Sequence, residues 1–301
     1  MPAESRTGAR LFPGVAMGIA GAISFSGKAI IVKLAYRYGV DAVQLIMLRM
    51  LFALPLFAAM AWWAGRGRPP LTGCDWLGVA GLGVSGYYLS SFLDFLGLQY
   101  ISASLERLIM YLGPTLVLLL GWLLYGRSFG RRQVLGTAIS YAGVLLVFGH
   151  EIGQQGQQAA LGALLVLAST VSYAVYLVYS GQLVQRLGSL RLVGLATSFA
   201  CICCLLQFAV LRPLDSAFAV PVDVMWLSLL NATVCTAVPV LLVMMAIERV
   251  GPALTSQSGM VGPLTTIALG AIVLGEPITA WIAAGTVLVV AGIYVFSRTP
   301  G

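Results

Sequence analysis

The chain has 301 residues, of which 59% are hydrophobic and only 9% charged, and its mean hydropathy is +0.95. A soluble domain carries about 25% charged residues, and no single core of this size hides so much apolar surface from water. A water-soluble enzyme or nucleic-acid binder is therefore excluded, lipid is the missing solvent, and the net charge of +7 reads first as a topology signal.

A spanning helix needs about 20 apolar residues. Apolar runs fall at 12–36, 42–63, 75–98, 101–125, 132–149, 160–182, 190–211, 223–247, 253–275 and 279–297. They predict an all-α integral membrane protein of ten transmembrane helices with short connections and no soluble domain. Arg6 and Arg10 precede the first run as in a signal peptide, but the run is too long for an h-region and shows no small-residue cleavage site, so it is expected to stay as helix 1. The most loop-like stretch, Gly153 to Gln158, lies at the centre and divides the chain into 1–152 and 153–301.

With the N-terminus in the cytoplasm, the inner loops hold Arg6, Arg10, Arg66, Arg68, Arg127, Arg131, Arg132, Arg186, Arg191, Arg249 and Arg298; the outer loops hold only Arg37 and Arg212. This positive-inside bias places both termini in the cytoplasm. The cysteines Cys74, Cys201, Cys203, Cys204 and Cys235 form no CxxC pair, and His150 is the only histidine. Neither a disulfide, a metal site nor a cofactor is expected.

The chain also repeats itself. At an offset of 149 residues Gly113-Pro114 falls on Gly262-Pro263, Gly121 on Gly270, Gly126 on Gly275, Gly136-Thr137 on Gly285-Thr286 and Ala142-Gly143 on Ala291-Gly292; Arg37 and Gly39 fall on Arg186 and Gly188. Each half holds five helices, and an odd number inverts the second half in the membrane, as in many transporters.

These motifs, with Gly275-Glu276-Pro277, resemble the drug/metabolite transporter superfamily in its EamA-type branch, and the aromatic residues are most similar to those of the bacterial exporters of aromatic amino acids. The likeness covers essentially the whole chain. Arg127 stands where such repeats carry a Glu like Glu276. The resemblance implies helices 1, 3, 4, 6, 8 and 9 around a central cavity, alternating access, and a place in a bacterial inner membrane. The implied partners are a small-molecule substrate, amino acids above all or a broader range of metabolites and drugs, and the lipid bilayer, with no nucleic acid. The oligomeric state is not specified.

Broken helices are the first mechanistic candidates. Pro114 and Pro263, each preceded by Gly (Gly113, Gly262), lie within helices 4 and 9. Proline removes a helix hydrogen bond, and matching breaks in the two halves point to a binding site and its hinges; a static kink is the bland alternative. Intramembrane charges come second: Lys28, Lys33, Arg49, Asp94, Glu106 and Arg107 all fall in helices 1–4. Each costs roughly 2.5–3.5 kcal/mol at a lipid-facing helix centre, so they are expected to pair or to face a cavity. Asp94 and Glu106 should each take one cation, leaving two for a substrate carboxylate. Snorkelling to the interface suits Lys33 and Arg49, whereas Lys28 and Glu106-Arg107 suit the cavity.

Tyr87, Tyr88, Tyr111, Tyr173 and Tyr176 are candidate cavity aromatics, offering a ring and a donor. Tyr173 and Tyr176 share a helix face, and Tyr179 extends the stripe. Helix packing or an interfacial belt explains any one of them equally well. Trp62, Trp63 and Trp76 read as belt residues, and Asn231, Ser256 and Gln257 as cavity lining or interhelical glue. Two other classes compete. Gly83-Val84-Ser85-Gly86 matches the GxSG of intramembrane serine proteases, but His150, its only possible base, is predicted at the far end of helix 5. A passive channel leaves the paired breaks unexplained.

Overall fold

The computed structural model describes residues 4–125, 130–155, 157–243, 245–246, 249 and 261–297. They form helices α1 (Glu4–Tyr36), α2 (Ala42–Gly65), α3 (Gly73–Gly83), α4 (Ser90–Gly97), α5 (Ala103–Met110), α6 (Gly113–Tyr125), α7 (Arg131–Gln155), α8 (Gln157–Leu187), α9 (Ser189–Leu211), α10 (Val222–Ala232), α11 (Gly262–Leu269) and α12 (Ala280–Ser297), with no strand among them. Seven helical segments are long and apolar enough to cross a membrane, and two shorter apolar helices cover Leu264–Leu274 and Ala280–Val295. Side chains such as Val210 and Ile272, each at least 80% exposed, make sense only against lipid.

The described helices overlay most of the predicted runs but differ in detail, and the first part of the ninth run, 253–260, lies outside the described residues. The described residues of the Gln/Gly stretch are helical, since α7 runs to Gln155 and α8 begins at Gln157; glutamine is a good helix former, and polarity alone does not make a loop. The third run is not one regular helix: α3 passes through a π-helical turn at Val84–Leu89 into α4. A second π turn, Thr233–Ala237, follows α10. Pro239 lies just beyond it and has no N–H to donate, while Val238 N–H reaches back to Thr233 O.

Without a hydrophobic drive between helices, membrane packing relies on close backbone approach at small residues. α2 lies along α9 and α7 along α12. A Cβ on Gly194 would sit 2.7 Å from Ala61 N, and Cys201 Sγ meets Met50 Sδ at 3.6 Å. As numbers rise along α9 they fall along α2, so the two helices are antiparallel. The α7–α12 crossing is also antiparallel: a Cβ on Gly143 would lie 2.6 Å from Gly285 O, and one on Gly292 would lie 2.6 Å from Gly136 O. The remaining contacts come in equivalent pairs. α1 packs on α10 and α11 as α8 packs on α4 and α6, and α10 meets α2 as α3 meets α9.

At one end of the bundle Arg186 Nη2 pairs with Asp75 Oδ2 at 2.9 Å, Arg191 donates to Pro69 O, and Arg66 lies over the Trp62 ring. Trp62, Trp63 and Trp76 are exposed there, as belt residues should be. At the other end Arg212 pairs with Asp41, the N-cap of α2, at 2.5 Å, and Arg37 donates to Leu274 O.

Candidate functional site

The break at Gly113-Pro114 cuts the fourth span in two. α5 stops at Met110, Tyr111 and Leu112 form a turn, and α6 starts at Gly113. Ser102 caps α5, its hydroxyl accepting from Leu105 N–H at 3.0 Å. Two carboxylates hold the same end: Glu151 Oε2 accepts from Ser102 N–H and its other oxygen contacts the Ser102 hydroxyl, while Glu276 accepts from Ala103 N–H at 2.9 Å and Ser104 Oγ at 3.0 Å. A helix start leaves N–H groups unpaired and carries partial positive charge, so carboxylates belong there. Glu276 thus links the second half to a helix of the first. Lys33, Tyr36, His150, Glu151 and Glu276 are among the residues lining a cavity of about 730 Å³ at this end.

α5 turns Glu106 and Arg107 inward, where they meet α1 and α4. Lys28 Nζ lies 2.6 Å from Asp94 Oδ2 and 3.5 Å from Glu106 Oε1. The second approach is a charge contact without hydrogen-bond geometry, since Glu106 Oε1 and Oε2 and Asp94 Oδ1 have no hydrogen-bond partner among the described residues. Arg107 Nε donates to Thr266 Oγ1 at 2.9 Å and Nη2 to Phe25 O at 3.3 Å. Lys28 Nζ and Arg107 Cζ each sit 5.3 Å from the Phe25 ring centroid, within cation–π range. Ser26 Oγ and Thr266 Oγ1 both donate to Gly262 O, which binds this knot to the start of α11. Pro263 occupies the first turn of α11, and a Cβ on Gly262 would lie 2.7 Å from Tyr111 Oη. The Gly262-Pro263 break therefore adjoins the charges and Tyr111, which precedes the Gly113-Pro114 break, while Gly113 itself faces Thr170 on α8.

Two sequence expectations need correction. Asp94 and Glu106 do not take separate cations; both address Lys28, whose side chain reaches from α1 to Asp94 on α4 and to Glu106 on α5. Arg49 does not snorkel: it is 5% exposed, its Nε donates to Thr236 Oγ1 at 3.2 Å, and its guanidinium lies 5.1 Å over the Phe95 ring. It is the eighth residue of α2, about 10 Å from the start of the helix, and its side chain turns inward to these partners. Lys33, by contrast, is half-buried at the cavity rim.

The tyrosines divide. Tyr111 joins the charged knot. Tyr87 Oη and Tyr176 Oη share a hydrogen bond of 3.2 Å with their rings edge to face, and Tyr173 stacks on Tyr176. Tyr87 and Tyr176 pack between α3, α8 and α9, and Tyr87 stands two turns from Asp94, about 10 Å along the axis. Gly86 exists to admit the Tyr176 ring, which would clash with any Cβ there. Tyr173 is 37% exposed, Tyr179 more so, and Tyr88 packs toward α2 and α9. Asn231 is buried on α10; Ser256 and Gln257 lie outside the described residues.

The protease constellation does not assemble. Ser85 donates to Gly81 O, and its carbonyl accepts from Ser172 Oγ. His150 stacks on Trp281 beside Glu151, which bonds Ser102 beyond the end of α4. Ser85 lies roughly 18 Å down the helix from Gly97 at 1.5 Å per residue. Sequence reasoning missed Glu151, Phe25, Thr236 and Thr266, whose roles arise only from contacts between distant spans.

The EamA-like transporter family model matches the chain twice, over residues 12–149 and 160–298. The uncharacterised transporter YcbK of Bacillus subtilis (strain 168) is 31% identical, covering 85% of this chain and 83% of its own. An uncharacterised transporter of Archaeoglobus fulgidus is 25% identical, covering 90% and 92%. A solved crystal structure matches with a TM-score of 0.64 at 20% identity, over 94% of this chain and 96% of its own, and so shares the fold. Repeated family match, apolar helices and buried intramembrane charge agree: this multi-pass membrane protein is a transporter and belongs to the EamA-like transporter family.

Proposed function

We propose that this transporter exports small metabolites, with amino acids including aromatic ones foremost, across a bacterial inner membrane by alternating access. In this reading ten spans form two inverted five-helix halves with both termini in the cytoplasm. The double family match, the antiparallel crossings of α2 with α9 and α7 with α12, and the paired contacts of α1 and α8 all support two inverted halves. The clustering of Arg66, Arg186 and Arg191 at one end supports the orientation.

The observation that carries the functional reading is the knot of Lys28, Asp94, Glu106 and Arg107, at most 4% exposed, where α1, α4 and α5 meet α11 of the other half. Intramembrane ionisable groups are expensive and mark transport pathways. Here they adjoin the Gly262-Pro263 break, and α5, which carries two of them, ends just before the Gly113-Pro114 break; about these two breaks the halves would rock. Tyr111 lies at the knot, and Tyr87, Tyr88, Tyr173, Tyr176 and Asn231 extend the lining. The test is uptake of labelled phenylalanine, tryptophan and threonine into liposomes holding the purified protein or its Lys28→Ala variant. Saturable uptake by the parent, lost in the variant, is expected. Uptake of none of the three, but of unrelated drugs, would replace the amino-acid reading with a broad-specificity exporter.

A further inference from the structure

The buried charges of the core are unevenly partnered. Lys28, Arg49 and Arg107 face Asp94 and Glu106, and all five are at most 5% exposed. Both carboxylates address Lys28, and Arg107 has two oxygen acceptors. Arg49 is left over. It makes no ion pair among the described residues, and its Nη1 is buried without an acceptor. Among the described residues Arg49 is thus a buried cation without a paired carboxylate, a state that is strongly disfavoured.

Polar groups on α10, which packs against α2, are also unsatisfied among the described residues. The wide turn after α10 frees Asn231 O, which accepts from Thr236 Oγ1 at 2.8 Å, and Thr236 Oγ1 in turn accepts from Arg49 Nε. Asn231 and Ser228 are spaced to share one face of α10. The Asn231 amide nitrogen and oxygen and the Ser228 hydroxyl are all buried with no partner among the described residues. Buried polar groups are ordinarily paired, and here three unpaired ones belong to the helix that engages an uncompensated guanidinium. A guanidinium presents a fork of N–H donors matched to a carboxylate, and an amide and a hydroxyl add further donors.

We propose that Arg49, Asn231 and Ser228 form a carboxylate-binding subsite between α2 and α10, whose occupant supplies the counter-ion that Arg49 lacks. The subsite rests on the transporter reading and deepens it, by assigning the substrate carboxylate to Arg49 rather than to the Lys28 knot. Arg49 is then held in a destabilising state that ligand relieves, as befits a recognition residue and not a structural one.

Thermal unfolding of the purified full chain tests this, with 3-phenylpropionate and phenethylamine as probes that share a ring and chain but carry opposite charges. 3-Phenylpropionate is expected to raise the Tm saturably, and phenethylamine at equal concentration is not. Arg49→Gln should weaken the carboxylate at least tenfold and Asn231→Leu severalfold, while the unliganded Tm of Arg49→Gln should equal or exceed the parent's. The proposal is overturned by any of four results: no carboxylate shift in the parent, an equal shift from the amine, a shift that survives in both variants, or an unliganded Arg49→Gln that melts below the parent. Loss of amino-acid uptake in the parent alongside an Arg49-dependent carboxylate shift would sink the amino-acid reading alone.

Discussion

At an offset of 149 residues the two halves carry the same backbone devices and different side chains. Gly39 and Gly188 both take positive φ, at +75° and +81°. The π turn at Val84–Leu89 has its counterpart at Thr233–Ala237, and the Gly143–Gly285 contact has its mirror in Gly292–Gly136. Yet where the first half places Lys28, Arg49 and Asp94, the second places Leu177, Ser198 and Val243. Several devices that shape helices are doubled, although the π turn at Gly270–Leu274 faces regular helix at 121–125, whereas the buried charged side chains among the described residues are confined to one half. A paired scaffold supplies two equivalent breaks; a lopsided core supplies an electrostatic address for a polar ligand.

The sharpest way to break this contrast is to unbalance the charged knot. Lys28→Ala leaves Asp94 and Glu106 buried without their shared cation and should cost about 3–5 kcal/mol, read as thermal or denaturant unfolding in detergent. Adding Asp94→Asn should recover part of that loss, because paired sites are not additive; full additivity would mean that the Lys28–Asp94 contact contributes nothing. The scaffold comes next. Gly143→Val and Gly292→Val should each cost about 1–3 kcal/mol through overpacking at symmetric crossings. Gly81→Ala, with nothing within 4 Å of the added carbon, should be neutral or stabilise by up to about 1 kcal/mol. A large difference between the two valine variants would undo the claim of equivalent crossings.

Smaller effects sharpen the contrast. Tyr87→Phe removes one hydrogen bond with Tyr176 and should cost about 0.5–1.5 kcal/mol, measured by the same unfolding. Arg212→Ala removes a pair whose side chains are 47% and 37% exposed and should cost at most about 1 kcal/mol. A larger loss there would make the outer loop a clamp instead of a surface contact.

The spans were legible because apolar length is a local property, and the repeat because Gly and Pro recur at one offset. Lys28, Glu106 and Arg107 stood out for the cost of charge in lipid. What was hidden depended on tertiary contact. Arg49 reads as a snorkelling residue until its inward contacts are known. Glu151 reads as part of a polar loop until α7 is seen to carry it to the start of α5. The π turns depend on neighbours such as Ser172 and Arg49, which engage their carbonyl and hydroxyl groups. No periodicity announces that Lys28 serves both carboxylates, since that follows from how α1, α4 and α5 cross.

Alternating access at the charged knot is the central claim, and sided labelling tests it most directly. Met110 Sδ lies 3.9 Å from Lys28 Nζ, so a Met110→Cys chain with its five native cysteines replaced places a thiol at the knot. In oriented liposomes, a membrane-impermeant thiol reagent is expected to label that cysteine from either face, with substrate changing the balance between the two. Labelling from one face only, whatever substrate is added, would contradict the account.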